Sequence, residues 1–438
     1  MDNIINFDKY YDLLNRISPI SSTGKVAKVV GFVVESEGPR SRLGSICNIY
    51  TGLNRKKIMS EVMGFKGNNL LLMPIEDIRG LSQGSLVVDQ EQSAVVPVGN
   101  NLLGRIVDGL GNPIDGKGSI QIEDEYPIYA APYNPVKRKR IDKAMDVGIR
   151  AINGFLTVGR GQRLGIFAGS GVGKSVLIGM IARHAAADVN VIALIGERGR
   201  EVNEFIEKDL GEDGLKKSVV VVATSDQLPL IRMRGAFIAT AIAEYFRDKG
   251  CDVNLIMDSV TRFAMAQREV GLSLGEPPAT KGYTPSVFTL LPKLLERAGT
   301  SSKGTITGFY TVLVEGDDFN EPIADAVRSI LDGHIVLTRD LADQNHYPAI
   351  DILKSISRVM VDIIDPKQME NVNRLKSVMA TYRKSEDLIN IGAYVAGSNP
   401  DIDYSIDMIK KITNYLKQGI NEKATFKESI EDLESLFS

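Results

Sequence analysis

Apolar residues recur along this chain in successive patterns, each typical of a different kind of element. Up to Ile17 they fall at helical spacing and then stop at Pro19, which predicts a short amphipathic arm over residues 1–22. Next come short β-rich runs separated by glycine and polar clusters, namely VAKVVGFVVE, SICNIY, NLLLMP, SLVV and AVVPV. Regular short strands with frequent turns predict a small closed β-barrel over residues 23–98.

Strands and helices then alternate over residues 99–365, after a lead-in rich in Gly, Pro and Asp. The predicted strands are residues 164–167, 191–195, 219–223, 253–257 and 308–314, and the predicted helices between them include 174–187 and 230–249. This alternation predicts an α/β fold with a mainly parallel sheet that is covered on both faces. From residue 366 to 438 only helical periodicity remains, which predicts a small C-terminal helical domain.

Composition narrows the classes of function. The 438 residues are too many for one hydrophobic core, so we expect two or three domains. Lys and Arg number 52 against 55 Asp and Glu, so no global basic field points to nucleic acid. The two cysteines lie far apart in the sequence, which favours reduced thiols in a cytoplasm. No run approaches the roughly 18 apolar residues of a membrane span, so any membrane role is expected to depend on a partner.

A glycine-rich loop joins a predicted strand to a predicted helix at AGSGVGKS. Its glycines free successive N–H groups to point at phosphate oxygens, and the helix presents its positive end to the same anion. Lys174 is expected to bridge the β- and γ-phosphates, and the Ser175 hydroxyl to ligate Mg²⁺. Ala168 stands where the strict pattern has Gly, and its Cβ is tolerable if φ is negative. The expected phosphate cradle is Ala168, Gly169, Ser170, Gly171, Val172, Gly173, Lys174 and Ser175.

Carboxylates at two strand ends are candidates to complete a site for metal-assisted phosphoryl transfer. Asp258 ends the apolar run NLIM and is the candidate second Mg²⁺ anchor, although a turn aspartate at a strand end is the alternative. Glu197 follows the predicted strand 191–195 and is the candidate general base, with Glu201 nearby as a supporting carboxylate. Taken alone, a charged run after a strand is more often a solvated turn.

Arginines are the expected partners of the transferring phosphate, because the planar guanidinium matches phosphate oxygens. Arg262 lies four residues after Asp258, close enough in sequence to reach the same pocket. Arg358 lies far downstream in ILKSISRVM. The sequence leaves open whether Arg358 completes its own site or a neighbour's, or is a surface arginine.

With these residues placed, the chain resembles the hexameric ATPases of the F1 ATP synthase superfamily. The segments that carry the resemblance are LLGRIVDGLGNPIDG, AGSGVGKS, GERGREVNEF, MDSVTRFAMAQREV and YPAIDILKSISRVM. Within that superfamily, GEPPATKGYTPSVFTLLPKLLERAG and NEPIADAVRSILDGHI are similar to type III protein-export ATPases, and the latter more to the flagellar than to the injectisome enzymes. The fold that this implies is a RecA-like P-loop core behind an N-terminal barrel.

The resemblance implies a role for each candidate residue. The matching positions are Lys174 and Ser175 for the P-loop pair, Asp258 for the Walker B metal anchor, Glu197 for the catalytic glutamate, and Arg198 and Arg262 for the phosphate-side arginines. Arg358 matches the arginine finger, which in this superfamily acts on the nucleotide of the adjacent subunit. ATP with Mg²⁺ and a homo-hexamer are therefore implied.

Further partners are implied in the same way. The barrel would form the collar of the ring, and the arm would bind a regulatory stator-like protein. The loop at residues 315–320 resembles the segment that faces a central stalk protein, although a solvated acidic turn is equally compatible with it. The C-terminal domain would face membrane proteins of the export gate and engage export substrates and chaperones. The implied location is cytoplasmic and peripheral, on the inner face of the cell membrane at the export apparatus.

The leading function is therefore a Mg²⁺-dependent ATPase that energises protein export through the flagellar type III apparatus. The alternatives are an injectisome secretion ATPase and a catalytic subunit of a proton- or sodium-translocating rotary ATP synthase. A ring-shaped RNA translocase of the Rho type shares the core fold and forms a third class. The few aromatic residues of the barrel and the formal charge of -3 count against it, and no nucleic-acid partner is expected.

Overall fold

A computed structural model of the protein describes residues 11, 21–52, 56–314 and 318–437. The predicted arm, residues 1–22, lies outside the described residues apart from three positions at 11, 21 and 22. Two compact units divide the chain after Ala94, and the short segment Ser273–Gly275 groups with the first unit. In the part of the chain that is described, no helix combines the length and the apolar character that crossing a lipid bilayer requires.

The first unit is a closed antiparallel barrel, as predicted, with the strand order β1-β2-β5-β4-β3-β6. Its strands are Thr23–Val30 (β1), Val33–Glu37 (β2), Ser45–Thr51 (β3), Lys56–Lys66 (β4), Asn69–Pro74 (β5) and Leu86–Ser93 (β6). The longest strand, β4, is absent from the prediction because Lys, Ser and Glu interrupt its apolar residues in KKIMSEVMGFK. The barrel interior is nevertheless apolar, since Val34, Ile49 and Leu72 are completely buried there.

One segment predicted for the barrel lies outside it. Residues Val95–Val98 form β7, which pairs antiparallel with β9, Asp124–Pro127, in the second unit. The β-rich run AVVPV identifies a strand correctly but carries no information about its pairing partner. The predicted barrel segment 23–98 therefore ends in the structure with β6.

The second unit is built on a nine-stranded sheet with the order β19-β18-β12-β17-β15-β13-β14-β8, to which β16 adds beside β17. Its strands are Arg105–Asp108 (β8), Arg163–Ala168 (β12), Val189–Ile195 (β13), Ser218–Ala223 (β14), Asp252–Asp258 (β15), Gly299–Thr300 (β16), Thr305–Leu313 (β17), Gly333–Leu337 (β18) and Ile356–Ser357 (β19). A separate short pair joins Ala144–Met145 (β10) to Val158–Gly159 (β11). All ladders are parallel except those of β16 and β19, so the predicted mainly parallel sheet is confirmed.

Helices cover this sheet and continue to the C-terminus. The α-helices are Arg150–Phe155, Lys174–His184, Gly199–Glu204, Gly211–Lys216, Pro229–Asp248, Val260–Ser273, Pro285–Leu295, Pro322–Ile330, Arg339–Asp343, Met360–Ile363, Pro366–Asn390, Pro400–Leu416 and Phe426–Ser435. A π-helical turn spans Phe205–Leu210, and 3-10 turns span Asn100–Leu102, Pro135–Lys137 and Thr280–Gly282. The long helix Pro366–Asn390 begins where its N-cap Asp365 accepts a hydrogen bond from the backbone of Gln368, which satisfies one free donor.

The C-terminal helices share one apolar core with the nine-stranded sheet. Tyr415 packs edge-on against Phe155 at a ring separation of 5.6 Å, and its hydroxyl donates a 2.7 Å hydrogen bond to the Ser429 carbonyl. A Cβ at Gly154 would lie 2.4 Å from that hydroxyl, so the close approach of the two elements requires glycine there. The helical region is thus packed against the helix Arg150–Phe155, which precedes β12.

Candidate active site

Three parallel strands bring the predicted phosphate, metal and base residues to one edge of the sheet. Ala168 ends β12, Asp258 ends β15, and Glu197 follows the end of β13. The sheet order places β17 between β12 and β15, with β13 next to β15. Because ligands of open α/β sheets bind at the carboxyl ends of the strands, this edge is the candidate nucleotide site.

The loop after β12 has the backbone of a phosphate cradle. Gly171 and Gly173 have φ values of +79° and +88°, a region that residues with a Cβ rarely adopt. Gly173 caps the helix Lys174–His184 without any side-chain cap, so the first N–H groups of that helix remain available to an anion. Ala168 is a buried strand residue, where a Cβ is accommodated without strain.

Lys174 is held between two carboxylates at the start of that helix. Its Nζ forms an ion pair with Asp258 Oδ1 and lies 3.7 Å from Glu197 Oε1. Burial lowers the pKa of Lys174, but the charges of Asp258 and Glu197 outweigh burial and raise it, so the ammonium stays charged. Thr311 from β17 donates a 2.6 Å hydrogen bond to the same oxygen, Asp258 Oδ1, and helps to fix that carboxylate. Any bound phosphate must compete with these two carboxylates for Lys174.

Glu197 titrates at an unusually high pH for a carboxyl group. Burial raises its pKa to about 7, the negative charge of Asp258 acts in the same direction, and Lys174 offsets part of the effect. Glu197 lines a small cavity together with Ser175, Leu194, Glu201, Val202, Phe205 and Asp258. A buried carboxyl with a pKa near neutrality is suited to accept a proton at physiological pH.

The oxygen atoms around this cavity fit a magnesium ion that arrives with a nucleotide. Ser175 and Asp258 supply a hydroxyl and a carboxylate, which are ligands that Mg²⁺ prefers. Across the ranges of the chain that are described, no three or more His, Cys, Asp or Glu residues form a ready-made metal cage. Mg²⁺ is usually bound by one or two carboxylates together with substrate phosphates and water, so such a sparse donor set suits it.

The two arginines that are predicted to contact the phosphates, Arg198 and Arg262, differ in where their side chains lie. Arg262 lies in the first turn of the helix Val260–Ser273, and a Cβ at Gly196 would lie 2.8 Å from its Cβ, so its stem packs against the residue before Glu197. Its buried Nε has no hydrogen-bond partner within the described ranges. Arg198 instead has a side chain that is 77% exposed and lies 3.4 Å from Glu201. The structure thus brings Arg262 to the cluster, whereas the Arg198 guanidinium lies toward solvent.

Arg358 follows the edge strand β19 and is exposed. Its guanidinium makes no hydrogen bond or ion pair with any other described residue. Its position within the subunit is set by its backbone N–H, which donates a 3.0 Å hydrogen bond to the Asp332 carbonyl.

Family models match most of the chain. The model of the ATP synthase alpha/beta family nucleotide-binding domain matches residues 148–357, and that family's beta-barrel domain matches residues 26–90. The T3SS EscN ATPase C-terminal domain matches residues 364–435. The chain is 56% identical to the flagellum-specific ATP synthase of Bacillus subtilis (strain 168), over 94% of both chains. The chain belongs to the ATP synthase alpha/beta family.

Other relatives place it on one branch of the ATP synthase alpha/beta family. It is 49% identical to the flagellum-specific ATP synthase of Salmonella typhimurium over 94% of this chain and 93% of that protein. The assembled ATPase EscN of the enteropathogenic E. coli type III secretion system matches with a TM-score of 0.90 and 46% identity, over 95% of this chain and 100% of that one. This member of the family is an ATP-hydrolysing enzyme of the flagellar and type III secretion group.

Two contacts of the P-loop in this ATPase escape the sequence analysis. The Tyr347 ring lies against the loop, since a Cβ at Gly173 would be 3.4 Å from a ring carbon, and the Tyr347 side chain is partly exposed. The Arg339 Nη2 donates a 3.2 Å hydrogen bond to the Ser170 carbonyl. Both come from the segment after β18, which no local pattern connects to residues 168–175. The one signal in the sequence is the aromatic residue Tyr347 itself, within the segment HYPAID.

Proposed function

We propose that this ATPase hydrolyses Mg²⁺-bound ATP at the P-loop and thereby energises protein export through a flagellar type III apparatus. The observation that carries the catalytic part is the buried cluster of Lys174, Asp258 and Glu197 beside the glycine-rich loop. The export part is supported by relatives named flagellum-specific ATP synthases and by the match of the C-terminal helices to a type III secretion ATPase domain.

Each residue of the cluster has a distinct task in this proposal. The loop N–H groups and Lys174 bind and orient the β- and γ-phosphates, and Arg262 faces the same phosphates, with Arg198 able to join only by turning inward. Ser175 and Asp258 would hold Mg²⁺, which when bound would supply stabilisation of the negative charge on the transferring phosphoryl group. Glu197 accepts a proton from the attacking water, a task for which its raised pKa is suited.

The adenine base is assigned to the partly exposed Tyr347 ring beside Gly173. Its face offers a stacking platform next to the position of the phosphates, and stacking suits any purine. Gln418 donates a 2.9 Å backbone hydrogen bond to the Tyr347 carbonyl, which links this platform to the end of the helix Pro400–Leu416.

Arg358 supports a ring mechanism, because its exposed guanidinium has no hydrogen-bond or ion-pair partner among the described residues and is available to a neighbouring subunit. We assign it as the arginine finger of a homo-hexamer. A charge of this kind is worth about 10³ to 10⁵ in rate in related phosphoryl-transfer systems. The solved EscN relative is described as an assembled ATPase, which is consistent with this assignment.

The remaining partners are part of the same proposal. A solved relative contains EscN in complex with its central stalk EscO, and a corresponding stalk protein is proposed for this chain. Of the loop 315–320, residues 315–317 lie outside the described ranges, whereas Asp318 lies 3.4 Å from Lys281. A stator-like regulator at residues 1–22, the export gate, and export substrates with their chaperones are proposed partners. We also propose that the ATPase is attached peripherally to the inner face of the cell membrane through these partners.

Two substitutions test the catalytic proposal. Lys174→Ala is expected to weaken nucleotide binding, whereas Glu197→Gln is expected to retain binding and lose hydrolysis by at least about 10²-fold. Nucleotide binding is measured by calorimetry and hydrolysis by phosphate release, with and without EDTA to remove Mg²⁺. Near-normal phosphate release from Glu197→Gln would remove Glu197 as the base, and hydrolysis that survives EDTA would contradict the role of Mg²⁺.

A further inference from the structure

The backbone of Arg358 is held by several contacts, although its guanidinium makes no hydrogen bond or ion pair within the described ranges. The edge strand β19 pairs antiparallel with β18 through Gly333–Ser357 and His334–Ile356. A Cβ at Gly333 would lie 2.4 Å from the Ile356 carbonyl oxygen, so the two strands approach closely there. The Arg358 N–H then donates to the carbonyl of Asp332, the residue that immediately precedes β18.

Asp332 is in turn clamped by Arg163, the first residue of β12. The Arg163 Nε and Nη2 donate to the two Asp332 carboxylate oxygens at 3.0 and 3.1 Å, and the Arg163 backbone N–H donates to Oδ2 at 3.0 Å. The Asp332 backbone N–H donates to the Arg163 carbonyl at 2.9 Å. The Arg163 side chain is only 15% exposed and also forms an ion pair with Glu296 at 2.5 Å. These contacts fix Asp332 through both its backbone and its side chain.

We propose that Asp332, clamped by Arg163, is a positioning residue for Arg358. The carbonyl that accepts the hydrogen bond of the Arg358 backbone belongs to Asp332, whose side chain is bound to Arg163 of β12. Within the described ranges, no hydrogen bond or ion pair fixes the Arg358 side chain itself. The inference rests on the proposed function, because Arg358 is taken to act on the nucleotide of an adjacent subunit. A misplacement of about 1 Å costs a catalytic group on the order of 10²-fold in rate.

The clamp therefore acts in the subunit that donates Arg358 and leaves that subunit's own phosphate cradle intact. Asp332→Asn keeps the shape of the side chain but weakens the two-pronged contact, so we expect kcat to fall about tenfold with the KM for ATP almost unchanged. Arg358→Ala should lower kcat by about 10³. Arg163→Lys keeps the positive charge but loses the two parallel hydrogen bonds of the guanidinium. It should also lower kcat with an almost unchanged KM for ATP, by less than Asp332→Asn does.

A double-mutant cycle separates positioning from general structural damage. If Asp332 acts through Arg358, the double variant Asp332→Asn/Arg358→Ala has the same kcat as Arg358→Ala alone. Asp115→Asn is the matched control, because Asp115 makes the same two-pronged contact with Arg105, at 2.7 and 2.9 Å, and has no contact with Arg358. This control should keep the wild-type kcat. A further tenfold loss in the double variant would overturn the inference.

Mixed assemblies give a second, independent readout. Asp332→Asn subunits are mixed with an excess of Glu197→Gln subunits, which cannot hydrolyse ATP themselves but offer an intact Arg358. The rate per Asp332→Asn subunit should rise several-fold, and the parallel mixture of Arg358→Ala with Glu197→Gln should also gain activity. A rise in the second mixture alone overturns the positioning role. No rise in either mixture, with mixed assembly confirmed by native mass spectrometry, overturns action across subunits and the positioning role with it.

Discussion

The two ends of strand β12 carry opposite halves of the proposed chemistry. Its C-terminal end, at Ala168, leads into the loop where Lys174 is buried between Asp258 and Glu197. Its N-terminal end, at Arg163, binds Asp332, whose carbonyl accepts a hydrogen bond from the Arg358 backbone. The Arg358 guanidinium is exposed and unpaired within the described ranges. One cation is neutralised inside the subunit and the other is not. A single subunit thus holds its own phosphate cradle, whereas Arg358 is proposed to complete the site of a neighbouring subunit.

The surroundings of β12 also differ between its two ends. The ladder with β17 runs along the whole of β12, whereas the ladder with β18 covers only Gly165–Ala168. At the other end, the Arg163 side chain forms ion pairs with Asp332 and Glu296.

Assembly should have the largest effect, since it supplies the charge that a lone subunit lacks. We expect the ATPase rate per subunit to climb by as much as about 10³-fold as the protein concentration passes through the range in which oligomers form. Arg358→Ala should remain slow at every concentration, although it assembles. The measurement is phosphate release across a wide concentration range, in parallel with native mass spectrometry. A constant rate from a stable monomer would mean that each subunit carries a complete site.

Removing the Tyr347 ring should have the next largest effect. This ring lies beside the phosphate loop, at the Ala168 end of β12 only. Tyr347→Ala is expected to weaken ATP binding about tenfold to hundredfold, because stacking of a base on an aromatic ring is worth about 1–3 kcal/mol. Tyr347→Phe is the matched control and should bind ATP normally. Calorimetry with ATP and with inorganic tripolyphosphate separates the two parts of the ligand. An equal loss for tripolyphosphate would show that Tyr347 supports the loop rather than the base.

Local patterns predict the elements of this fold well and their partners poorly. The apolar runs of β13, β14 and β15 and the glycines of residues 168–175 are visible in the sequence because burial and backbone conformation dictate residue type there. The pairing of β7 with β9 depends on distant segments, which periodicity within AVVPV does not encode. The approach of Tyr347 to Gly173 has the same origin, since it is set by the sheet and not by any neighbouring residue.

The family resemblance supplies roles that geometry then sorts. It names Arg198 and Arg262 alike as phosphate-side arginines, yet only Arg262 packs beside the residue that precedes Glu197. It names Arg358 as a finger but gives no account of what holds it. The clamp of Arg163 on Asp332 joins residues 169 positions apart in the sequence, so it becomes visible only once β12 and β18 are paired.

The last expected effect concerns stability rather than binding or turnover, and it contrasts the buried and the exposed charge directly. The pKa of Glu197 is raised to about 7 from an ordinary 4.5, mainly by burial. Between these two values the folded state keeps a proton that the unfolded state has lost, so the free energy of unfolding decreases as the pH rises through this window. Glu197→Gln removes this penalty and should stabilise the nucleotide-free protein by roughly 1–3 kcal/mol at pH 8, with much less gain at pH 5.

Urea unfolding at pH 5 and pH 8 measures this difference, with Arg358→Ala as the control. Because the Arg358 guanidinium is exposed and has no partner in the described ranges, its removal should change the free energy of unfolding by less than about 0.5 kcal/mol at either pH. An equal gain from Glu197→Gln at both pH values would mean that packing, not titration, causes it. A large loss from Arg358→Ala would mean that the guanidinium holds its own subunit together, and the contrast between the two ends of β12 would disappear.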